Sequence, residues 1–249
     1  MKTQHILSLT SNLQGRDFIV GDIHGMFHVF DRLLEKVKFN PELDRVISVG
    51  DLIDRGPDSH RVLEYIDHPW FFSIMGNHEQ MCLDAATDYS TYKNWVNRNG
   101  GAWWDSMDEL KQQAIRKAFS TLPTVAEIAT NNGTIGVVHA DISTRISWDR
   151  FTKNIAEDKN LRHFAIWSRA RYDRYKAIGD NEKIQGVKFV VVGHTPVTTC
   201  IDAGNVRFID TGAAFTETKG LGKLTLMQIQ PEIKLIQQDV RKKKKWSFS

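Results

Sequence analysis

Three short apolar runs near the start of the chain each end at a glycine, which is followed at once by carboxylate, amide or imidazole residues. The runs cover residues 18–20, 45–49 and 71–75, and they continue into the strings GDIHG, GDLIDRG and GNHEQ. Amphipathic stretches separate the runs, with apolar residues at helical spacing from 29 to 37 and again over 59–67. Strands that alternate with helices at this spacing predict a parallel sheet with crossover helices.

The next stretch, about residues 84–120, has no strand pattern and predicts a helical cap or insertion. Strand patterns then return, because the runs 124–130 and 135–138 flank Asn-Asn-Gly at 131–133, a sequence typical of a hairpin turn. The remaining elements predicted are strands at 189–192, 206–209 and 224–229, and a helix near 157–168. We therefore expect a mostly antiparallel β region in the second half of the chain.

Together these patterns predict an α/β fold with two packed mixed β-sheets flanked by helices and a small helical insertion. At about 150 residues per domain, a chain of 249 residues fits one large domain or two small ones. We expect a single domain over residues 1–249, with the cap insertion at about 84–120 and a basic tail at 240–249.

The charge of the chain is concentrated in that tail. The formal net charge is +3, and it falls to −2 without the five consecutive cations from Arg241 to Lys245. A nearly neutral body does not favour nucleic-acid binding. Two cysteines cannot form a disulfide framework, and no stretch approaches the ~20 apolar residues of a membrane span. We expect a cytoplasmic protein without a membrane span, and a monomer.

The carboxyl ends of parallel strands form one edge of a sheet, so the three glycine-led loops should converge there. These loops, with two histidines that follow later strands, carry Asp22, His24, Asp51, Asp54, Arg55, Asn77, His78, His139 and His194. Carboxylate oxygens mixed with imidazole nitrogens suit Mn²⁺, Fe or Zn²⁺ better than Ca²⁺. Two divalent ions about 3.5–4 Å apart can generate a hydroxide and hold both ends of an in-line displacement at phosphorus.

Spacing indicates how two cations could share these residues. Asp22 and His24 stand at i and i+2, on the same side of an extended segment, so both can face one cation. A second cation could be held by side chains from three separate strands: Asn77, His139 and His194. Asp51 lies between the two groups and could bridge them.

Three of these residues have no part in this ligand scheme and could act on the substrate: Arg55, His78 and Asp54. A guanidinium matches phosphate oxygens in a bidentate way, and a histidine oriented by a carboxylate can protonate a leaving alkoxide. Asp54 is the carboxylate available to orient His78. Other roles stay open: His78 as a metal ligand, Asp54 as a helix cap or turn former, and Arg55 as a structural ion-pair partner.

The strings GDIHG, GDLIDRG and GNHEQ, followed by His139 and GHTP, resemble the phosphoprotein phosphatase family of metallophosphoesterases, most of all its bacteriophage-lambda-type bacterial serine/threonine phosphatases. The likeness runs from Phe18 to Gln230 and includes IWSR and IDTGA. It implies a metallophosphoesterase-type layered fold. It also implies hydrolysis of phosphoserine and phosphothreonine by direct attack of a metal-bridging hydroxide, with two divalent ions that are usually Mn²⁺.

The resemblance further implies a role for each matching residue. One ion would be held by Asp22, His24 and Asp51, and the other by Asp51, Asn77, His139 and His194. His78, paired with Asp54, would be the general acid. Arg55 and Arg169 would hold the phosphate together with Asn77, although Arg171 is a rival for Arg169.

Some residues depart from the family pattern or have a structural interpretation. Met75 stands where many relatives carry arginine, so we expect one contact to phosphate or acidic substrate to be missing. Glu79 is expected to be a first-turn helix residue favoured by the helix dipole. The cluster of Trp95, Trp103 and Trp104 is expected to pack in the core of the cap, with an aromatic wall for a phosphopeptide as the alternative.

Two other functions compete with that of a phosphatase acting on a phosphoprotein or phosphopeptide. Diadenosine tetraphosphatases share the same motifs, so hydrolysis of a dinucleoside polyphosphate is the first alternative. A non-catalytic phosphoprotein-binding scaffold is the second. The complete set of ligands, with His78 and Arg55, favours an enzyme.

Overall fold

Two β-sheets form the centre of the computed structural model, which describes residues 4–241. The strands are β1 (Ile6–Leu9), β2 (Asp17–Val20), β3 (Arg45–Ser48), β4 (Phe71–Ser73), β5 (Val125–Thr130), β6 (Gly133–Val138), β7 (Phe189–Val192), β8 (Ile201–Ala203), β9 (Val206–Phe208), β10 (Lys223–Gln230) and β11 (Lys234–Asp239). One sheet has the order β11-β10-β2-β3-β4, and the other has the order β1-β5-β6-β7-β9-β8.

The first sheet contains the parallel strands that the glycine-led motifs predict. β2, β3 and β4 lie side by side and parallel, and β10 pairs with the other side of β2 in the antiparallel direction. β2 is buried along its whole length, which accounts for its continuous apolar run. Because the three strands run in the same direction, the loops after Val20, Ser48 and Ser73 all leave from one edge of the sheet.

The second half of the chain has more antiparallel than parallel strand pairs, as expected, since β10 and β11 are also antiparallel, but the second sheet itself is mixed. The pairs β1–β5, β6–β7 and β7–β9 are parallel, whereas β5–β6 and β8–β9 are antiparallel. The predicted hairpin is confirmed, with Thr130 opposite Gly133. A long helical connection from β6 to β7 returns the chain to the same end of the sheet, as a parallel pair requires. An apolar run such as Phe189–Val192 can pair with a parallel or an antiparallel neighbour, so its sequence does not predict which one it has.

Helices cover the outer faces of both sheets. In the described residues they are α1 (Phe27–Lys36), α2 (Val62–Ile66), α3 (Asn77–Asp84), α4 (Tyr89–Arg98), α5 (Glu109–Phe119), α6 (Trp148–Ile155), α7 (Lys159–Trp167) and α8 (Ala170–Ile178). In β2, Phe18 and Val20 pack on the side of α1. Ile19 points the other way, into an apolar layer between the sheets that includes Val137 and Val191. The α/β class with two packed mixed sheets is therefore confirmed.

Helices α4 and α5, joined by a 3-10 helix at Gly101–Ser106, lie within the range 84–120. Asp88 and Asp108 cap them, because each carboxylate accepts a backbone N–H of the first turn. Their buried side chains join the apolar core that covers the first sheet: Trp95, Trp104, Ile115 and Phe119. This packing places the segment directly above the loops that follow β3 and β4.

The end of the chain is described only as far as Arg241. The rest of the predicted basic tail, residues 242–249, lies outside the described residues. Both cysteines, Cys82 and Cys200, are free thiols. Between residues 4 and 241, every helix is too short or too polar to cross a membrane.

Candidate active site

The loops that follow five strands meet at one place between the two sheets. Asp22 and His24 follow β2, Asp51 and Asp54 follow β3, and Asn77 and His78 begin α3 directly after β4. His139 follows β6 and His194 follows β7, so the second sheet supplies the remaining imidazoles. All eight of these side chains are buried, and His194 is the most exposed at 7%. The structure therefore brings together residues that stand up to 172 positions apart in the sequence.

Four side chains form the first group of converging ligand atoms. His139 Nε2 lies 2.9 Å from Asn77 Oδ1, and His194 Nδ1 lies 2.8 Å from the same oxygen. Asp51 Oδ1 is 3.3 Å from His139 Nε2. The other nitrogen of His139 lies 2.8 Å from the Val49 carbonyl and donates to it, which leaves a lone pair on Nε2. Lone pairs that face one another in this way fit a divalent cation.

A second group shares Asp51 with the first. His24 Nε2 is 3.6 Å from Asp51 Oδ2 and 4.0 Å from Asp22 Oδ2. His24 Nδ1 lies 2.9 Å from the Ile53 carbonyl, so Nε2 again carries the lone pair. His78 Nε2 is also 3.9 Å from Asp51 Oδ2, which keeps His78 within reach of a cation held by His24 and Asp51. The position of Asp51 between both groups supports its predicted bridging role.

The protonation states favour cation binding. Burial lowers the pKa of His24 well below its ordinary value, and Arg55 lowers it further. Burial and the neighbouring His139 lower the pKa of His194 to about 3. These rings are therefore neutral at pH 7 and can act as ligands.

Buried carboxylates repel one another at the same place. Burial raises the pKa of Asp22 well above the usual range, and the nearby Asp210 and Asp51 raise it further. Burial also raises the pKa of Asp210 to about 7, and its Oδ2 has no hydrogen-bond partner in the described part of the chain. The Asp210-Thr211-Gly212 turn thus contributes a buried acid to the site. Positive charge from bound cations would relieve this repulsion.

The predicted pair of His78 and Asp54 is formed. His78 Nδ1 lies 2.6 Å from Asp54 Oδ2, and both residues are buried. Burial lowers the pKa of His78, but the carboxylates of Asp51 and Asp54 outweigh it and raise this pKa above the ordinary histidine value. A raised pKa keeps a proton on the ring near neutral pH, as a general acid requires.

The structure separates the two rival arginines. Arg171 is buried and forms an ion pair, with Nε 3.4 Å from Asp141 Oδ1, while its other two guanidinium nitrogens donate to backbone carbonyls. Arg169 is exposed and donates to the carbonyl of His194 at 3.4 Å, so its guanidinium lies beside the ligand groups. Arg55 is also exposed, contacts His24 Nε2 and stacks over Phe215. This placement favours Arg169 and Arg55 as phosphate contacts.

The backbone is strained at the same residues. Six non-glycine residues in the described ranges have positive φ, and five of them are predicted site residues: His24 (44°), Asp51 (52°), Asp54 (76°), Arg55 (68°) and His194 (62°). This region of φ is unfavourable for residues with a side chain and persists where the surrounding structure enforces it. Strain concentrated in this way is typical of a functional site.

Two motif glycines leave room for ligand side chains. A Cβ at Gly76 would lie 2.3 Å from Asp51 Oδ1, and a Cβ at Gly193 would lie 1.9 Å from Asp22 Oδ1. Asp22 also accepts the backbone N–H of His194 at 3.0 Å. The glycines are therefore needed for close packing of the carboxylates against neighbouring loops.

We expect Gly193→Ala to displace Asp22 and lower the affinity for Mn²⁺ about tenfold or more, the loss typical of disturbed ligand positioning. The added methyl group should also cost about 1–3 kcal/mol of stability through overpacking. Calorimetric titration with Mn²⁺ and urea denaturation measure the two effects. Gly179→Ala is the control for Mn²⁺ affinity alone, since its Cβ would lie in open space but its φ of 67° would by itself cost stability. Unchanged Mn²⁺ affinity in Gly193→Ala would argue against Asp22 as a ligand.

Glu79 has a larger role than its predicted place in the first turn of α3. It is fully buried, and its carboxylate accepts the backbone N–H groups of Asp51 (2.9 Å), Leu52 (2.8 Å) and Gly76 (2.9 Å). Burial and the nearby Asp51 raise its pKa to about 7. Glu79 therefore ties the loop after β3 to the start of α3. The sequence clue is a glutamate three residues after the N-cap, the position of a capping box.

The tryptophan cluster combines two roles. Trp95 and Trp104 are buried in the core, as the packing interpretation predicts. Trp95 Nε1 and Trp103 Nε1 also donate to the Asp54 carboxylate, at 2.5 and 2.7 Å. Because these hydrogen bonds join residues 41 and 49 positions apart in the sequence, no local pattern predicts them.

A layered α/β fold with two buried groups of carboxylate, amide and imidazole ligands at its strand ends defines a metallophosphoesterase. Residues 18–213 match the family model described as calcineurin-like phosphoesterase, and the chain belongs to this family. Its relatives include "Serine/threonine-protein phosphatase 1" of Salmonella typhimurium, with 36% identity over 86% of this chain and 91% of the relative. "Serine/threonine-protein phosphatase 2" of Escherichia coli is 35% identical over 79% of this chain and 87% of the relative.

Solved structures share the fold at lower identity. A structure described as a putative diadenosine tetraphosphatase has a TM-score of 0.64 and 22% identity, covering 94% of this chain and 98% of that one. A protein serine/threonine phosphatase from Saccharomyces cerevisiae has a TM-score of 0.63 and 15% identity, covering 98% of this chain and 86% of that one. These likenesses support the layered architecture.

Proposed function

We propose that the protein is a metal-dependent protein phosphatase that hydrolyses phosphoserine and phosphothreonine monoesters. The observation that carries this proposal is the pair of ligand groups joined by Asp51, with the His78–Asp54 pair beside them. The relatives from Salmonella typhimurium and Escherichia coli, named serine/threonine-protein phosphatases, support the substrate class.

We assign the ligands as the sequence predicts. One cation would be held by Asp22, His24 and Asp51, and the other by Asp51, Asn77, His139 and His194. When bound, such cations supply positive charge to the phosphoryl oxygens and lower the pKa of water towards neutrality. The mixed oxygen and nitrogen donors suit Mn²⁺, our proposal for the metal, and would also accept Fe or Zn²⁺.

The remaining site residues act on the substrate directly. Arg55 and Arg169 are exposed, so their guanidinium groups can each hold phosphoryl oxygens, and the buried Asn77 would be a third contact. His78 donates its Nε2 proton to the serine or threonine oxygen as that oxygen leaves. Asp54 holds Nδ1 of the same ring, so that the donating nitrogen faces the ligand groups.

Hydrolysis of a dinucleoside polyphosphate is the second candidate. "Bis(5'-nucleosyl)-tetraphosphatase PrpE" of Bacillus cereus is 27% identical over 88% of this chain and 92% of the relative. We expect kcat/KM on a phosphoserine peptide to exceed that on diadenosine tetraphosphate by at least about tenfold, a difference of roughly 1.4 kcal/mol in transition-state binding. Steady-state kinetics of the Mn²⁺-loaded protein on both substrates measures the ratio.

The opposite ratio would select the dinucleoside polyphosphate. Turnover of neither substrate by protein with bound Mn²⁺ would select the phosphoprotein-binding scaffold.

We further propose that residues 1–249 form one domain with a cap insertion at about 84–120, and that the protein is a cytoplasmic monomer. Its partner would be a phosphoprotein, without nucleic acid.

A further inference from the structure

The carboxylate of Asp54 is held by more partners than the His78–Asp54 pair requires. Oδ2 lies 2.6 Å from His78 Nδ1 and 2.5 Å from Trp95 Nε1, and Oδ1 lies 2.7 Å from Trp103 Nε1. Asp54 is 0% exposed, so solvent does not compete for these oxygens. Both carboxylate oxygens are therefore fixed in position by the indoles of the cap segment.

The same segment contacts the backbone around Asp54. The Gly100 carbonyl accepts the backbone N–H of Arg55 at 3.3 Å, and a Cβ at Gly100 would lie 2.5 Å from that same nitrogen. A Cβ at Gly101 would lie 2.8 Å from the indole of Trp95, so the turn packs closely on that ring. The segment from α4 to the 3-10 helix is thus attached to the loop after β3 through Arg55, Asp54 and Trp95.

The orientation of His78 depends on these contacts. A carboxylate with only one hydrogen-bond partner can rotate about its χ2 angle. An imidazole held by such a carboxylate then has no fixed ring orientation. With Trp95 and Trp103 on its two oxygens, the Asp54 carboxylate has one orientation, and so has the ring of His78. His78 Nε2 then remains 3.9 Å from Asp51 Oδ2, facing the ligand groups where the phosphate would lie.

We propose that Trp95 and Trp103 are positioning residues for proton donation by His78, which makes the cap segment a functional part of the active site. This proposal rests on the proposed phosphatase function. The indole N–H groups fix Asp54, Asp54 fixes His78, and His78 delivers the proton to the leaving oxygen. A cap that only covered apolar surface would need the rings but not their N–H groups.

The leaving group provides the test. A serine alkoxide is strongly basic and needs a proton as it leaves, whereas p-nitrophenolate is weakly basic and leaves without one. We expect Trp103→Phe to lower kcat on a phosphoserine peptide about tenfold with KM unchanged. On p-nitrophenyl phosphate the same variant should lose less than about threefold, because general-acid catalysis contributes ~10²–10⁴ only where a proton is needed.

Trp104→Phe is the matched control. Trp104 packs on both other rings, with centroids 5.4 Å from Trp95 and 5.5 Å from Trp103, and among residues 4–241 it makes no hydrogen bond to Asp54. Its replacement removes similar bulk from the same cluster, so kcat on both substrates should stay within about twofold. Equal losses on both substrates in Trp103→Phe, or no loss on the peptide, would overturn the proposal.

A second measurement tests the contacts without turnover. In heteronuclear NMR spectra, Asp54→Asn should shift the indole Nε1–H resonances of Trp95 and Trp103 and leave that of Trp104 in place. Unchanged resonances of Trp95 and Trp103 would overturn the proposal even if Trp103→Phe failed to fold. Wild-type protein that hydrolyses neither substrate with Mn²⁺ would count against the proposed function itself, which separates the two failures.

Discussion

Removal of divalent cations is expected to abolish hydrolysis of both a phosphoserine peptide and p-nitrophenyl phosphate, and added Mn²⁺ should restore it. Metal ions supply several kcal/mol of transition-state stabilisation in sites of this class. About 4 kcal/mol corresponds to a rate loss of ~10³-fold, so activity should fall at least that far. The measurement is turnover after dialysis against a chelator and after titration with Mn²⁺, Fe²⁺ or Zn²⁺.

The same cations should stabilise the fold. Asp22 and Asp210 are buried acids whose pKa values are raised by burial and by neighbouring carboxylates, so their charged forms are unfavourable without positive charge nearby. Binding to the folded state alone raises the melting temperature by mass action. We expect Mn²⁺ to raise Tm in the wild type and much less in Asp51→Asn, which replaces the shared carboxylate with a neutral amide. Undiminished turnover after exhaustive chelation would contradict the metal-dependent mechanism.

The part of the site that lies along the first sheet is predictable because its signals are local. Each of β2, β3 and β4 is a buried apolar run followed by glycine, and parallel strands place their carboxyl ends at one edge. The amino-acid sequence alone therefore predicts that Asp22, Asp51 and Asn77 meet. Arg169 is predicted only by the family resemblance, because its short segment has no chemical pattern of its own.

Other features depend on tertiary contacts that no local pattern encodes. Strand β1 and the edge strands β8 and β11 are short or mixed in polarity, and an apolar strand such as β7 does not reveal the direction of its neighbour. Glu79 has the sequence position of a cap and accepts the N–H of Gly76 from there, but it also accepts two N–H groups from another loop. Hydrogen bonds between Asp54 and the two indoles arise only when the cap folds over the site.

Replacement of His78 by asparagine is expected to lower kcat on a phosphoserine peptide by ~10²–10⁴, the usual contribution of a general acid. Asparagine can still donate to Asp54 but has no proton to deliver from the position of Nε2. Because Asp51 and Asp54 raise the pKa of His78 against the effect of burial, the acid form persists above the ordinary histidine pKa of about 6.5. Bound cations beside Asp51 would oppose this rise, so both effects set the pH at which wild-type kcat falls, and the alkaline limb itself should be absent in the variant.

The metal content of the variant decides between the two roles of His78. His78 Nε2 is 3.9 Å from Asp51 Oδ2, so a ligand role with His24 and Asp51 is geometrically possible. A general acid can be removed without loss of cations, and His78→Asn should then bind Mn²⁺ with wild-type stoichiometry and affinity and keep most of its turnover of p-nitrophenyl phosphate. If His78 is instead a metal ligand, its removal would reduce Mn²⁺ affinity and the turnover of both substrates together. Near-native peptide turnover would exclude both roles, because neither leaves the phosphoserine reaction unchanged.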